Sequence, residues 1–297
     1  MNWSISLAGL VVGLTVGVTG MGGGALMTPI LVLLFGVDPL AAVSTDVVAS
    51  LVMKPIGGAV HARRGTVHTG IVRWLALGSV PAAFGGVLIL KTLGEGEQLS
   101  NRLTTILGVT LVIAAAAMTA RVVLSAHRQW ATLPPADVPV RKRLTLGVGV
   151  VGGLVVGMTS VGSGSLMIVL LLTLYPRLSS SSLVGTDLVQ AIPLVAAAAL
   201  GHVLFGDLRL GLTGALLVGA VPGVYLGARV SSKAPDSLIR PLLVAVLIAS
   251  ALKLLEVPTG IVIAIGVVAG SGVAGIEWVQ SRRHEVRASD VLAPEGD

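Results

Sequence analysis

The sequence has no cysteine, only 3% aromatic residues and only 11% charged residues. Without cysteine there is no disulfide framework, no thiolate metal site and no cysteine nucleophile. Ordinary soluble domains carry about 25% charged residues. A chain with fewer than half of that cannot cover a water-facing surface, which excludes a soluble domain. Polar low-complexity runs are missing, which excludes disorder. The 39 glycines follow no G-X-Y period, which excludes collagen. There is also no P-loop, HExxH, GxSxG or Ser/His/Asp set, so nothing indicates an enzyme, a nucleotide site or a cofactor. A primary pump would need a partner ATPase. What the chain does have is apolar sequence, 54% of 297 residues, with a mean hydropathy of +0.95. That composition describes an all-α polytopic membrane protein with the lipid bilayer as its solvent. The net charge of +6 lies in short basic runs between apolar stretches. This pattern fits membrane orientation and argues against nucleic-acid binding.

A bilayer core about 30 Å thick needs roughly 20 apolar helical residues. Long candidate spans run at about 40–60, 69–90, 102–124, 181–201, 210–230, 238–255 and 258–278. Two further stretches, 3–37 and 144–176, are apolar but broken by Gly-rich sequence into pieces of about 12–17 residues, short for a full crossing. Residues 3–19 have no Lys or Arg before them, so they are expected to belong to the mature fold and not to a signal peptide.

The chain repeats itself. At an offset of 140, nine of the fifteen positions 13–27 are identical, among them Gly13/Gly153, Thr19/Thr159, Gly22/Gly162 and Gly24/Gly164. At an offset of 141, Thr45-Asp46 meets Thr186-Asp187, His61 meets His202 and Pro81 meets Pro222. Paired Thr-Asp, His and Pro positions do not arise from apolar composition. The expected organisation is a first membrane repeat at 1–125, a linker at 126–142, a second repeat at 143–256, an extra transmembrane helix at 257–278 and a tail at 279–297.

Lys and Arg in short loops favour the cytoplasm. Loop 61–68 holds Arg63 and Arg64, while its counterpart 202–208 has lost that pair and holds Asp207. The linker has Arg128, Arg141 and Lys142, and the tail has Arg282, Arg283 and Arg287. The sides alternate consistently if each broken stretch enters and leaves on the same side. The N-terminus is then outside, and the linker and C-terminus are cytoplasmic, in the cell's inner membrane. On this basis the halves are two inverted repeats, each a Gly-broken helical hairpin plus three transmembrane helices, with one extra C-terminal transmembrane helix. If each broken stretch is instead one long tilted helix, the repeats are parallel. Trp3, Trp74, Trp130 and Trp278 all fall near span ends, as interfacial aromatics do.

The segments GVTGMGGGALMTPIL (17–31), AAVSTDVVAS (41–50) and HARRGTVHTGIVRWLALGSVPAAFGG (61–86) resemble the first half of the sulfite exporter TauE/SafE family. GMTSVGSGSLMIVLLL (157–172), LVGTDLVQ (183–190) and the stretch from His202 to Arg229 are similar to its second half. The resemblance covers about residues 5–255. It implies a membrane carrier for sulfite, an organosulfonate or a related small sulfur-containing anion. Two features depart from the family pattern: Gly162-Ser163-Gly164 in place of three glycines, and Thr-Asp at 45–46 and 186–187. The span at 258–278 also lies beyond the usual end of the family.

The residues themselves point to an anion. Gly22-Gly23-Gly24 interrupts a helix inside the membrane, and a new helix starts directly afterwards. Its free N–H groups and positive dipole end suit an anion. Thr159-Ser160-Val161-Gly162-Ser163-Gly164 repeats the arrangement. In an inverted repeat the two turns approach each other near the midplane, and the hydroxyls of Thr19, Thr159, Ser160, Ser163 and Ser165 add donors. Small-residue packing is the competing explanation for these glycines.

Asp46, Asp187 and Lys54 lie within spans, where a charge costs about 2.5–3.5 kcal/mol on insertion scales. Either Lys54 attracts the anion and the aspartates carry protons, or the aspartates hold the adjacent hairpins and Lys54 pairs with one of them. Gln190 follows Asp187 by one turn and can line the same cavity. His61 and His202 are expected as solvated residues at span ends. Gly266, Gly270, Gly272 and Gly275 give the last span a small-residue face, for docking on the bundle or for a homodimer. A non-transporting assembly factor or subunit, and an anion channel, stay open beside the carrier.

Overall fold

The computed structural model describes residues 3–19, 23–126, 132–230 and 236–292. Among these residues the chain is helical, apart from loops and one isolated bridge between Leu133 and Leu178. The first half contains α1 (Trp3–Thr19), α2 (Gly24–Phe35), α3 (Pro39–Arg63), α4 (Thr69–Thr92) and α5 (Gly96–Ala126). The second half contains α6 (Lys142–Thr159), α7 (Leu166–Leu174), α8 (Ser180–Phe205), α9 (Leu210–Val230) and α10 (Asp236–Leu254), followed by α11 (Thr259–Leu292). Both apolar stretches that the glycines interrupt are two helices each, as the sequence indicates. Among the described residues α3, α4, α5, α6, α8, α9 and α11 are long and apolar enough to cross a membrane.

Several lengths differ from expectation. Helix α6 reaches 18 residues, enough to count as a span, whereas α7 has only 9. Position 160 is where α6 must end, because Ser160 takes a left-handed conformation (φ 60°) that a helix cannot continue through. Helix α11 does not stop at 278 but runs to Leu292, taking in most of the segment expected as a tail.

The packing crosses between the halves. Helix α1 lies along α9, and its counterpart α6 lies along α4. Helix α3 packs on α8, and α5 on α10. Exchanging the two halves maps these pairs onto one another. Both long seams are made of glycine: a Cβ at Gly13 would sit 2.4 Å from the Ala220 carbonyl oxygen, and one at Gly149 would sit 2.4 Å from that of Leu75. Backbones this close leave no space for a side chain, which is the use of small residues between membrane helices.

The contacts also fix the relative direction of the helices. Gly9, Gly13 and Gly17 face Leu216, Ala220 and Val224 in turn, so α1 and α9 run the same way. Gly149, Gly153 and Gly157 likewise face Leu75, Ser79 and Ala83, so α6 and α4 run the same way. By contrast Gly58 faces Ile192 while Gly185 faces His61, so α3 and α8 run in opposite directions. On α11, Gly266 and Gly270 meet Ala245 and Pro241 of α10, whereas Gly272 and Gly275 have open space before them.

The loops gather at two ends. At one end the His68 N–H donates to Thr186 Oγ1 (3.0 Å), and His68 Nε2 lies 2.9 Å from the Val138 carbonyl of the linker. The Leu133 N–H donates to Arg177 O (2.9 Å), and the Arg141 N–H donates to Tyr175 OH (2.9 Å). The Tyr175 hydroxyl also bonds Thr145. At the other end the Asp207 N–H donates to Ser44 Oγ (3.3 Å), and Lys91 lies 4.4 Å above the Phe205 ring. The basic loop 61–68 and the linker therefore share one end, and loop 206–209 lies at the opposite one.

Single cysteines can be introduced cleanly, because the chain has none. Thr66→Cys and Asp207→Cys are expected to react with a membrane-impermeant maleimide from opposite faces of sealed vesicles. Asp137→Cys should follow Thr66→Cys. Labelling of positions 66 and 207 from one face would contradict the arrangement.

Candidate functional site

The two helix breaks meet inside the bundle. A Cβ added at Gly24 would lie 1.9 Å from the Ser160 carbonyl oxygen, so the start of α2 rests directly on the end of α6. Glycine is the residue that allows this approach. The second break is strained by design. Ser160, Gly162 and Gly164 have φ values of 60°, 120° and 94°. The two glycines adopt these values freely, but Ser160 does so at a cost of order 1–3 kcal/mol. The equivalent position in the first half is Gly20, so the serine there is kept despite its backbone cost. Its side chain lies beside Asp46.

Three buried charges surround the junction. Asp46 is 0% exposed, Asp187 1% and Lys54 6%. Lys54 Nζ donates to Ser163 Oγ at 2.5 Å, bridging α3 of the first half to the break of the second. It makes no other hydrogen bond among the described residues, so two of its three N–H donors are unspent. Both aspartates act on Lys54 electrostatically, Asp187 more strongly than Asp46. Neither comes within ion-pair distance of it: among the described residues the ion pair is Arg209–Asp207. Of the two alternatives, direct pairing of Lys54 with one aspartate is not what the structure shows: its ammonium bonds Ser163.

The two equivalent aspartates differ in their partners. Asp187 Oδ1 accepts from Gln190 Nε2 (3.1 Å), and the backbone N–H of Gly164 lies beside the carboxylate. Gln190 is held in turn by the Ser79 hydroxyl (3.3 Å). Asp46 Oδ2 accepts from Thr28 Oγ1 (2.8 Å), which ties α2 to α3. Asp46 Oδ1 is buried with no partner of hydrogen-bond geometry, although the Ser160 hydroxyl is close by.

A cavity of about 40 Å³ opens beside these groups, lined by Gly23, Ser50, Met53, Lys54, Leu188 and Val224 among others. One water needs about 10–15 Å³ measured this way, so the space holds about three waters or one small anion. Ser50 lies one turn after Asp46 and one turn before Lys54. The i, i+4, i+8 spacing of Asp46, Ser50 and Lys54 makes a polar stripe on α3. The sequence carries that signal in its spacing, but Ser50 is not among the residues expected from it, because a serine bears no charge.

Not every expected residue reaches the site. Gly22 lies outside the described residues. Gly23 lines the cavity, but Gly162, beyond the end of α6, packs against Val155 and Val156 of that helix. The Thr19 hydroxyl donates back to Thr15 O (2.7 Å), and that of Thr159 donates to Val155 O (2.6 Å). Both threonine hydroxyls are spent inside their helices. Ser165 Oγ is buried without a partner. Gln190 serves Asp187.

His202 is not a solvated residue at a span end. It is 0% exposed, with Nε2 2.9 Å from Gly157 O and Nδ1 3.0 Å from Ser44 Oγ. The expectation failed because it judged depth along one helix. The glycine seams bring α6 close, and its Gly157 carbonyl covers the ring. His61 is partly buried and bonds Thr66 (3.0 Å).

Interrupted helices meeting around buried charges, in a bundle with seven apolar helices of spanning length, define a multi-pass membrane protein of the transporter class. The chain belongs to the sulfite exporter TauE/SafE family, whose model matches residues 5–254. The probable membrane transporter protein YjnA of Bacillus subtilis (strain 168) is 36% identical over 259 residues, covering 86% of this chain and 100% of that protein. No solved structure matches. Helix α11 lies beyond the matched segment.

The two neighbouring glycines should behave differently on substitution. Gly24→Ala forces its Cβ into the Ser160 carbonyl and should separate the breaks, at an overpacking cost of about 1–3 kcal/mol. A lowered thermal midpoint in detergent, read by size-exclusion chromatography, checks this. Gly23→Ala meets only the flexible end of Met53, at 3.1 Å, with Asp46 Oδ1 at 3.4 Å. Its midpoint should stay close to that of the unmodified protein.

Proposed function

We propose that this protein is a secondary carrier of a small sulfur-containing anion, such as sulfite or an organosulfonate, held where the two helix breaks meet. The observation that carries this reading is the Lys54 ammonium. It is buried, it is anchored to Ser163 across the two halves, and it has unspent donors beside a cavity of about 40 Å³. A lone intramembrane lysine is costly and normally serves a substrate path. An anion is the partner that fills its remaining donors and offsets its charge. Ser163 accepts the lysine's hydrogen bond and keeps its own O–H to donate. Ser50 and the backbone at Gly23 complete the wall. The family and the relative's name support transport, and the sulfur oxyanion comes from the family's description.

The carrier is built as inverted repeats on this reading. The opposed directions of α3 and α8, with the crossed pairs α1/α9 and α4/α6, support that topology. The basic loop 61–68 and the linker face the cytoplasm by the positive-inside rule, which leaves the N-terminus outside. Neither a scaffold nor an assembly factor has a use for an ammonium at this depth.

Counterflow in proteoliposomes tests the reading. Preloading with unlabelled sulfite or methanesulfonate should accelerate entry of the same labelled anion, whereas chloride should not. A channel gives uptake without this trans-stimulation, and a non-transporting subunit gives none. Lys54→Met should abolish anion binding in a protein that still inserts. Ser163→Ala removes one donor to a charged partner, worth about 1.5–3 kcal/mol, so affinity should fall roughly ten- to hundredfold. Unchanged transport in Lys54→Met would overturn the site.

A further inference from the structure

The carrier reading leaves open what drives the anion, and the unequal surroundings of Asp46 and Asp187 bear on it. The two residues are equivalent by sequence repeat, yet their hydrogen bonds are not. Asp187 has more neighbours that favour its charge: Gln190 bonds Oδ1, the Gly164 N–H lies beside the carboxylate, and both Lys54 and Arg121 act on it. Asp46 is held firmly on one side. Thr28 bonds Oδ2, while Oδ1 has no partner of hydrogen-bond geometry among the described residues; the Ser160 hydroxyl lies beside the carboxylate, and Oδ1 lies close to Gly23, which lines the cavity. We infer that Asp46 is the proton-carrying carboxylate of the transport cycle and that Asp187 is its structural counterpart. This inference rests on the carrier reading above and names its coupling ion.

The coupling follows from a charge count. Around the cavity one ammonium, Lys54, is shared between two carboxylates. Arg121 on α5 adds a further cation, but on the Asp187 side. Helices α1, α2 and α7 and the break at 160–165 carry no titratable side chain. His202 on α8 is taken up by Ser44 and Gly157. An anion entering beside Lys54 therefore meets a neighbouring Asp46 carboxylate that nothing else neutralises. A proton on Oδ1 removes that repulsion. The proton comes from water in the cavity, turns the carboxylate into a neutral acid, and returns to water when the anion leaves. Binding of either ligand favours the other, by the same factor in both directions.

The test uses methanesulfonate, which keeps a single negative charge across the working pH range, with the full-length protein in proteoliposomes. Wild type should show counterflow and should accumulate the labelled anion when the side of entry is acidified. Its methanesulfonate affinity should be about tenfold or more tighter at pH 5 than at pH 8. Asp46→Asn mimics the protonated acid. It should still bind methanesulfonate, with the same affinity at both pH values, and should lose accumulation driven by the pH gradient. Asp46→Glu restores a carboxylate and should restore driven uptake. In weakly buffered detergent, adding methanesulfonate should draw protons from solution with wild type and not with Asp46→Asn. Driven accumulation that survives in Asp46→Asn overturns the inference, and so does an affinity in that variant that still tightens at pH 5. Asp187→Asn with the uncoupled behaviour assigned to Asp46 overturns it as well. Absent counterflow in wild type overturns the carrier reading itself, and the inference with it.

Discussion

Everything in this bundle is arranged around the cost of keeping an ammonium away from water. Lys54 is 6% exposed, and a charge buried that deeply must find compensation in its surroundings. The compensation comes from both halves of the chain. Ser163 supplies a direct hydrogen bond from the second half, and two carboxylates, one per half, supply the field. For these groups to reach one another, both helical hairpins have to end their first helix inside the bundle. At the second break Gly162 and Gly164, together with Ser160, take positive φ values, and at the first the backbone of Gly24 comes against the Ser160 carbonyl. That close approach of Gly24 to Ser160 joins the two halves beside the buried charges.

A large part of this was legible beforehand. The interruption of two apolar stretches, the repeat offset and the Thr-Asp pairs all follow from local sequence. Most helix boundaries fall within about four residues of where glycine and polar spacing put them, the exceptions being the early start of α5 at Gly96 and the run of α11 to Leu292. The side-chain depths were less accessible. His202 looked like an interfacial residue because depth was measured along its own helix, whereas the glycine seams bring α6 over it. Thr19 and Thr159 looked like free donors, but a hydroxyl at the end of a helix has a backbone carbonyl one turn earlier within reach, and both take it. Ser50 was passed over for the opposite reason: a small hydroxyl on an apolar helix attracts no notice until a cavity is found beside it.

The asymmetry between the halves matters as much as their likeness. Lys54 has Val195 as its counterpart, Gln190 has Ala49, and Ser163 has Gly23. Duplication supplied two equal hairpins, but one polar set was lost or gained on each side, so the two breaks now hold different groups. The junction therefore carries one ammonium, where strict symmetry would give two competing cations at close range.

The glycine seams have a mechanical meaning. Where α1 meets α9 and α4 meets α6, backbone lies on backbone without interlocking side chains over most of the contact. Each pair packs as one unit, and each unit is assembled from one helix of each sequence half. The packing therefore does not divide the bundle into its N-terminal and C-terminal halves. It sets α1/α9 and α4/α6 apart, with α3 and α8, and the aspartates and lysine they carry, between them.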